Sequence, residues 1–271
     1  MFLSVCPAQE NCEAVYGSGP GRFSLATGSP GELGLLKALG DAFSTRAASS
    51  LCWKKAGSGE SLKLLKQKSV DTIMVHAPAG DEKKAVEEGW GTLRTLIGSN
   101  EFFIVGPPSD PAKISEAKTA AEAYSRIAQA KAKFFSRGDN SGTHQKELSV
   151  WKKSGIDPSG DWYIVTRTFM TATLQRADSE GGYFMTDSST WVAEEKNVPG
   201  LKVLFRGDKV LVNTYHALCV PGGSTPGAAA AAEFIRFVAS EEGQKIMREY
   251  GKDLYGQGIY NDAAYAAQYD D

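Results

Sequence analysis

Short apolar runs that alternate with helical patterns constrain this chain more than any other feature of its sequence. The runs 23–27, 51–54, 72–76, 102–105, 134–136, 163–166, 183–186, 203–205 and 216–220 read as strands bounded by turn formers. Between them, Leu36, Leu39 and Phe43, then Met170, Leu174 and Ala177, then Phe234, Ile235, Val238 and Ile246 recur at helical spacing, so each segment has one apolar face to bury. Residues 120–132 and 228–232 are alanine-rich and are helices by propensity. Such alternation builds α/β layers, in which ligands bind beyond the carboxyl ends of the strands.

A length of 271 residues exceeds one small core and fits two lobes of ordinary domain size, with room for a ligand cleft between them. With 42% hydrophobic and 23% charged residues the composition is that of a soluble globular protein, and no apolar run reaches the roughly 20 residues of a membrane span. The 30 basic and 32 acidic residues leave a formal charge of −2, and the basic residues are scattered. A nucleic-acid partner is thereby excluded, and any anion selectivity has to be local.

Cys6, Cys12, Cys52 and Cys219 form no C-x-x-C pair and have no histidine at zinc-finger spacing, which excludes a metal site of that kind. Two disulfides or four buried thiols are the alternatives; the even count points to an oxidising compartment. In the paired case Cys6–Cys12 closes a short local loop, which leaves Cys52 for Cys219. Residues 1–8 are too short and poorly shaped for a signal peptide, so the start reads as a mature N-terminus with its leader removed. Residues 9–21, with Gly17-Ser18-Gly19-Pro20-Gly21, carry turn formers without periodicity and read as an arm, the fold beginning near Arg22.

Four times a strand runs into small or hydroxyl residues that open a helix: Thr27-Gly28-Ser29-Pro30-Gly31, Gly57-Ser58-Gly59-Glu60-Ser61, the stretch 136–143, and Thr166-Arg167-Thr168. A helix N-terminus offers free N–H groups and a partial positive charge, hydroxyls add short donors, and glycine lets a ligand approach the backbone. Each loop alone is an ordinary helix cap. At about 0.3–1 kcal/mol apiece the dipoles fall short of the ~8 kcal/mol of a micromolar complex. A charge-assisted hydrogen bond from a buried arginine adds roughly 1.5–3 kcal/mol, which singles out Arg137 and Arg167 inside these loops. Asp139 opposes an anion unless it orients Arg137 or caps the helix.

The run Phe135-Ser136-Arg137-Gly138-Asp139-Asn140-Ser141-Gly142-Thr143-His144, followed by Trp151-Lys152, Gly155-Ile156-Asp157-Pro158 and Asp161-Trp162-Tyr163-Ile164, resembles the tungstate-binding proteins of bacterial ABC importers. Leu25-Ala26-Thr27, Gly57-Ser58-Gly59, Phe103-Ile104-Val105-Gly106-Pro107 and Ser240-Glu241-Glu242-Gly243-Gln244-Lys245 agree, and the likeness spans about 23–247. It implies an α/β periplasmic-binding-protein type II fold, two α/β lobes joined by two crossover strands, the first after Val105 and the return before Tyr215. On that plan residues 1–21 are an N-terminal arm, 22–105 with 212–271 are lobe I, and 106–211 are lobe II. The resemblance also implies a secreted or periplasmic monomer that captures a small oxyanion without catalysis, cofactor or metal, with an ABC permease as partner. Thr27, Ser29, Ser58, Arg137 and Ser141 take the ligand-binding roles by position, and Gly28, Arg167 and Thr168 join them from the first and fourth loops.

The pocket departs from the family pattern. Thr27-Gly28-Ser29-Pro30 stands where the family has three threonines and a serine, and Pro30 removes an N–H. Arg167, Phe169 and Thr171 stand where it has glycines, and Ser188 replaces an arginine, a charge that Arg167 is placed to restore. Two other functions are distinguishable. An enzyme would assemble Ser141, His144 and Asp139, or His76 and His216, but no strained G-x-S-x-G elbow or metalloprotease motif accompanies them. A secreted interaction protein that keeps the fold with a changed ligand or none would use the tyrosines of the tail, Tyr250, Tyr255, Tyr260, Tyr265 and Tyr269, which otherwise pack the C-terminal segment on lobe I.

Overall fold

Most of the apolar runs become strands buried on both faces, whereas those at Tyr163–Val165 and Lys202–Phe205 are only partly covered. The computed structural model describes residues 11–76 and 79–270. Its strands are β1 (Ala14–Tyr16), β2 (Gly21–Thr27), β3 (Ser49–Lys55), β4 (Thr72–Val75), β5 (Thr92–Gly106), β6 (Phe134–Ser136), β7 (Tyr163–Val165), β8 (Tyr183–Asp187), β9 (Lys202–Phe205), β10 (Val212–Cys219) and β11 (Asn261–Asp262). They lie in the order β1-β3-β2-β4-β10-β5-β8-β6-β7, with β9 and β11 on β5. In β2, Phe23 and Leu25 join one apolar cluster and Ala26 another, as a parallel strand covered by helices on both sides requires.

Two α/β lobes share this sheet. In lobe I, β2 runs parallel to β3 and β4; in lobe II, β6 runs parallel to β7 and β8. The strand β5 serves both. Glu101 still pairs with Val212 of β10, whereas Phe102 pairs with Asp187 of β8, so the passage between lobes lies inside a continuous strand. Lobe I is centred on Phe23, Phe43 and Phe234, whose ring centroids lie 5.3–5.9 Å apart. Lobe II is centred on Trp151, 4.3 Å from Tyr124 and 5.2 Å from Phe134. Burial of such a side chain contributes roughly 1.5–3 kcal/mol, so both lobes carry a real core.

Three expectations are corrected. The arm is not free of structure: β1 pairs antiparallel with β3, and a disulfide joins Cys12 to Cys52. Three residues with one exposed side chain, Val15, are too short to show alternation, which is why the segment read as a loop. The pairing of Cys52 with Cys219 does not occur. Cys219 is a buried free thiol on β10, three strand positions from β3, and at about 4.8 Å per strand that distance is out of disulfide reach. Cys6 lies outside the described residues. Finally, Ile246 belongs to a separate helix, Glu241–Glu249, because Ser240 ends the helix Ala228–Ala239 and accepts from the Gly243 N–H as the next N-cap. Tail tyrosines pack on lobe I: Tyr260 is buried 6.2 Å from Tyr215, and the Tyr250 hydroxyl donates to the Leu33 carbonyl.

Candidate functional site

Helices start where β2, β3, β6 and β7 end, and their first turns meet between the lobes. Thr27, Gly28, Ser29, Pro30, Glu32, Gly57, Ser58, Met74, His76 and Tyr215 line a tight cavity from lobe I; Arg137, Ser141 and Phe169 line it from lobe II. The lobes touch at its rim. A Cβ on Gly142 would fall 2.3 Å from the His76 carbonyl oxygen, and one on Gly59 would fall 2.6 Å from that of Asn140, so both contacts require glycine.

Donors converge on this cavity because little else uses them. The helices that begin at Ser58 and Met170 have no side-chain cap, so their first N–H groups are left for another acceptor; in the short turn at Ser29 only the Ser29 N–H is left, because Pro30 has none and Gly31 and Glu32 donate to the Gly28 carbonyl. Ser58 Oγ accepts from the His76 N–H at 3.2 Å, which leaves its own proton to donate. Ser141 caps the helix Gly142–Ser154 by accepting from the His144 N–H. Thr27 is otherwise engaged: its Oγ1 donates to the Met74 carbonyl at 2.8 Å, tying β2 to β4.

Arg137 is 4% exposed and is the one cation among the cavity-lining residues. Its Nε and Nη2 donate to Asp139 Oδ2 at 3.1 and 2.6 Å, and these bonds leave Nη1 out. Burial works against charge on Asp139, but the guanidinium and the Ser141 N–H outweigh it and hold the carboxyl below the usual range. Glu32 is tied to Lys55 at 2.6 Å. Glu32 and Asp139 thus each have a cation, and neither faces an anion unpaired. His76 adds no charge: burial, then the charges of Arg137 and Lys146, push its pKa down to about 3. Its Nδ1 is buried without a partner among the described residues.

Of the residues expected at the site, Thr27, Gly28, Ser29, Ser58, Arg137 and Ser141 come together; Arg167 and Thr168 do not line the cavity and are exposed. Arg167 donates its N–H to the Arg137 carbonyl at 2.9 Å and has φ of +55°, so the chain turns there and presents Phe169 to the cavity instead. Glu32, Met74 and Tyr215 carry no motif that reveals them; only their place at or beside strand ends hints at a role. The groups of a nucleophile and base are not assembled among the described residues. Asn140 donates its N–H to His144 Nδ1 at 3.1 Å, and His216 lies between Glu82 and Asp270 at 3.0 and 3.1 Å.

Comparison with known proteins agrees with this arrangement. Residues 14–242 match the PBP superfamily domain. The tungstate-binding protein TupA of Peptoclostridium acidaminophilum is 31% identical over 96% of this chain and 93% of its own length. The tungstate ABC transporter structure from Geobacter sulfurreducens is 37% identical with a TM-score of 0.77, covering 86% of this chain and all of its own. The tungstate-binding protein TupA from Desulfovibrio alaskensis is 36% identical with a TM-score of 0.74, covering 89% of this chain and 98% of its own.

Proposed function

This chain belongs to the PBP superfamily, and from that premise we propose that it captures a tetrahedral oxyanion of the tungstate class in the cavity between its lobes. One observation carries the reading: a buried guanidinium, already oriented by Asp139, stands among three uncapped helix N-termini drawn from both lobes. Arg137 would bind through Nη1 while Asp139 holds the other edge of the fork. The N–H groups at 29, 58 and 170, with the Ser58 hydroxyl, would neutralise the remaining charge without a further cation.

Only at the top of their ranges, about 2 kcal/mol for each partly buried terminus and about 3 kcal/mol from the arginine, do these contributions approach the ~8 kcal/mol of a micromolar complex, so the site needs its donors buried and converging. Glu32 and Asp139, the acids nearest the anion, already accept from cations, so a fully deprotonated anion suits the cavity better than one that carries a proton. Division into lobe I (22–105 with 212–271) and lobe II (106–211) fits a site closed by lobe motion. We read the protein as a transport component rather than an enzyme, working outside the cytoplasm with an ABC permease. No helix among the described residues is long and apolar enough to cross a membrane.

Titration with tungstate, molybdate, sulfate and phosphate, followed by tryptophan fluorescence and melting temperature, tests this. Binding to the folded state adds about 2.7 kcal/mol of stability at a hundredfold excess over Kd and raises the melting midpoint accordingly. We expect the shift with tungstate or molybdate and none with phosphate near neutral pH; no shift with any of the four would remove the oxyanion reading.

A further inference from the structure

The cavity is spanned by a line of charges broken by one aromatic ring. Glu32 meets Lys55 at 2.6 Å; Lys55 Nζ lies 4.5 Å from the centre of the Phe169 ring; the Arg137 guanidinium carbon lies 5.4 Å from the same centre; and Arg137 meets Asp139 at 2.6 Å. Glu32 and Lys55 belong to lobe I, whereas Phe169, Arg137 and Asp139 belong to lobe II, so the contact between Lys55 and Phe169 is the link that crosses the cleft. Phe169 reaches this place as the residue before the helix Met170–Glu180, which has no side-chain cap.

We propose that Phe169 is an interlobe clasp: its ring seats between Lys55 and Arg137 when the cleft is shut, and thereby sets how long the anion stays bound. The proposal rests on the oxyanion reading of the same cavity. An aromatic face attracts a cation within about 6 Å of its centre, more strongly where water is excluded. Two cations share this ring, one from each lobe, and both are fixed by a carboxylate. Opening the cleft removes Lys55 from the ring, while Arg137 and Phe169 move together. The cost of opening therefore falls on release more than on capture, and Phe169 acts on the anion as a positioning residue through Arg137.

The test is a double-mutant cycle on the full chain. Tungstate release is followed by stopped-flow tryptophan fluorescence in Phe169→Leu, which keeps bulk but loses the aromatic face, in Lys55→Met, and in the pair. Phe169→Leu should release the anion about 3- to 10-fold faster with little change in association rate. Lys55→Met also leaves Glu32 facing the anion, so its single effect is the larger; the pair should fall short of the product of the two, because they share one contact. Phe169→Tyr should restore slow release. A scattering measurement of the radius of gyration without added anion gives an independent reading: it should rise in Phe169→Leu and return in Phe169→Tyr. If the wild type binds none of the oxyanions, the ligand assignment fails and scattering alone decides the clasp. If the effects multiply independently, or if neither release nor radius changes in Phe169→Leu, the clasp is overturned.

Discussion

The two walls of the cavity solve the same problem by different means. Lobe I offers backbone N–H groups and the Ser58 hydroxyl, and its nearby cation, Lys55, is already committed to Glu32. Lobe II offers a full positive charge, held in orientation by Asp139, and separately buries an acid, Glu147, on the helix Gly142–Ser154. Neutral dipoles need no counter-charge and tolerate exposure when the cleft opens. A buried guanidinium does need one, and Asp139 sits two residues away to provide it. Uncharged donors therefore come from both sides, and the full charge from lobe II alone.

The first way to sharpen that contrast is to weaken each lobe in turn. Reduction of Cys12–Cys52, or Cys52→Ala, should cost about 4 kcal/mol by the chain-entropy estimate for a closed loop of 40 residues. The loss should appear as a lower melting temperature, with β1 losing hydrogen-exchange protection before lobe II does. An unchanged melting temperature after complete reduction would show that the β1–β3 ladder holds the edge unaided.

Lobe II should instead respond to pH. Burial pushes Glu147 up to about 7 from its ordinary 4.5, against the opposing hydrogen bonds from Tyr163 and Trp151. A carboxyl raised on folding gives its full stabilisation below the unfolded value and loses it as pH rises through the folded one. Stability should therefore decline between pH 4.5 and about 7, by roughly 3 kcal/mol at about 1.4 kcal/mol per pH unit. Glu147→Gln should flatten that decline in chemical denaturation at pH 5 and pH 7.5; a slope equal to wild type would place the titrating group elsewhere.

Arg137→Ala should weaken anion binding by at least about a hundredfold, since it removes the charge-assisted bond and leaves Asp139 uncompensated. Adding Asp139→Ala should recover melting temperature without recovering affinity, and calorimetry reads the two effects separately. Ser58→Ala, on the neutral wall, should cost only about 1 kcal/mol, or fivefold in Kd. A loss from Ser58→Ala equal to that from Arg137→Ala would dissolve the division of labour.

Local chemistry was what the sequence made legible. The loops at 27–31, 57–61 and 136–143 announce themselves because glycine, serine and arginine stand consecutively, and the resemblance carried by 135–164 follows from the same clustering. What depends on partners far along the chain was not legible. Residues 92–101 of β5, with Arg94, Gly98, Ser99 and Asn100, lack an apolar run and become strand because β10 and β11 flank them. The edge strand β1 is held by a pairing and a disulfide that cysteine counting could not assign. Arg167 and Thr168 show the finer limit. Their composition suits an anion loop, yet one left-handed backbone angle turns them outward and brings Phe169 in.

The shared strand β5 limits how the two halves can move. It is hydrogen-bonded to β10 up to Glu101 and to β8 from Phe102 onward, so sliding one half past the other would break ladder bonds on both sides of that point, whereas flexing at it breaks few. A swing about that point is therefore the movement the ladder permits at least cost. If the halves close on an ion in this way, discrimination would depend on the fit of the assembled atoms rather than on the route taken to them.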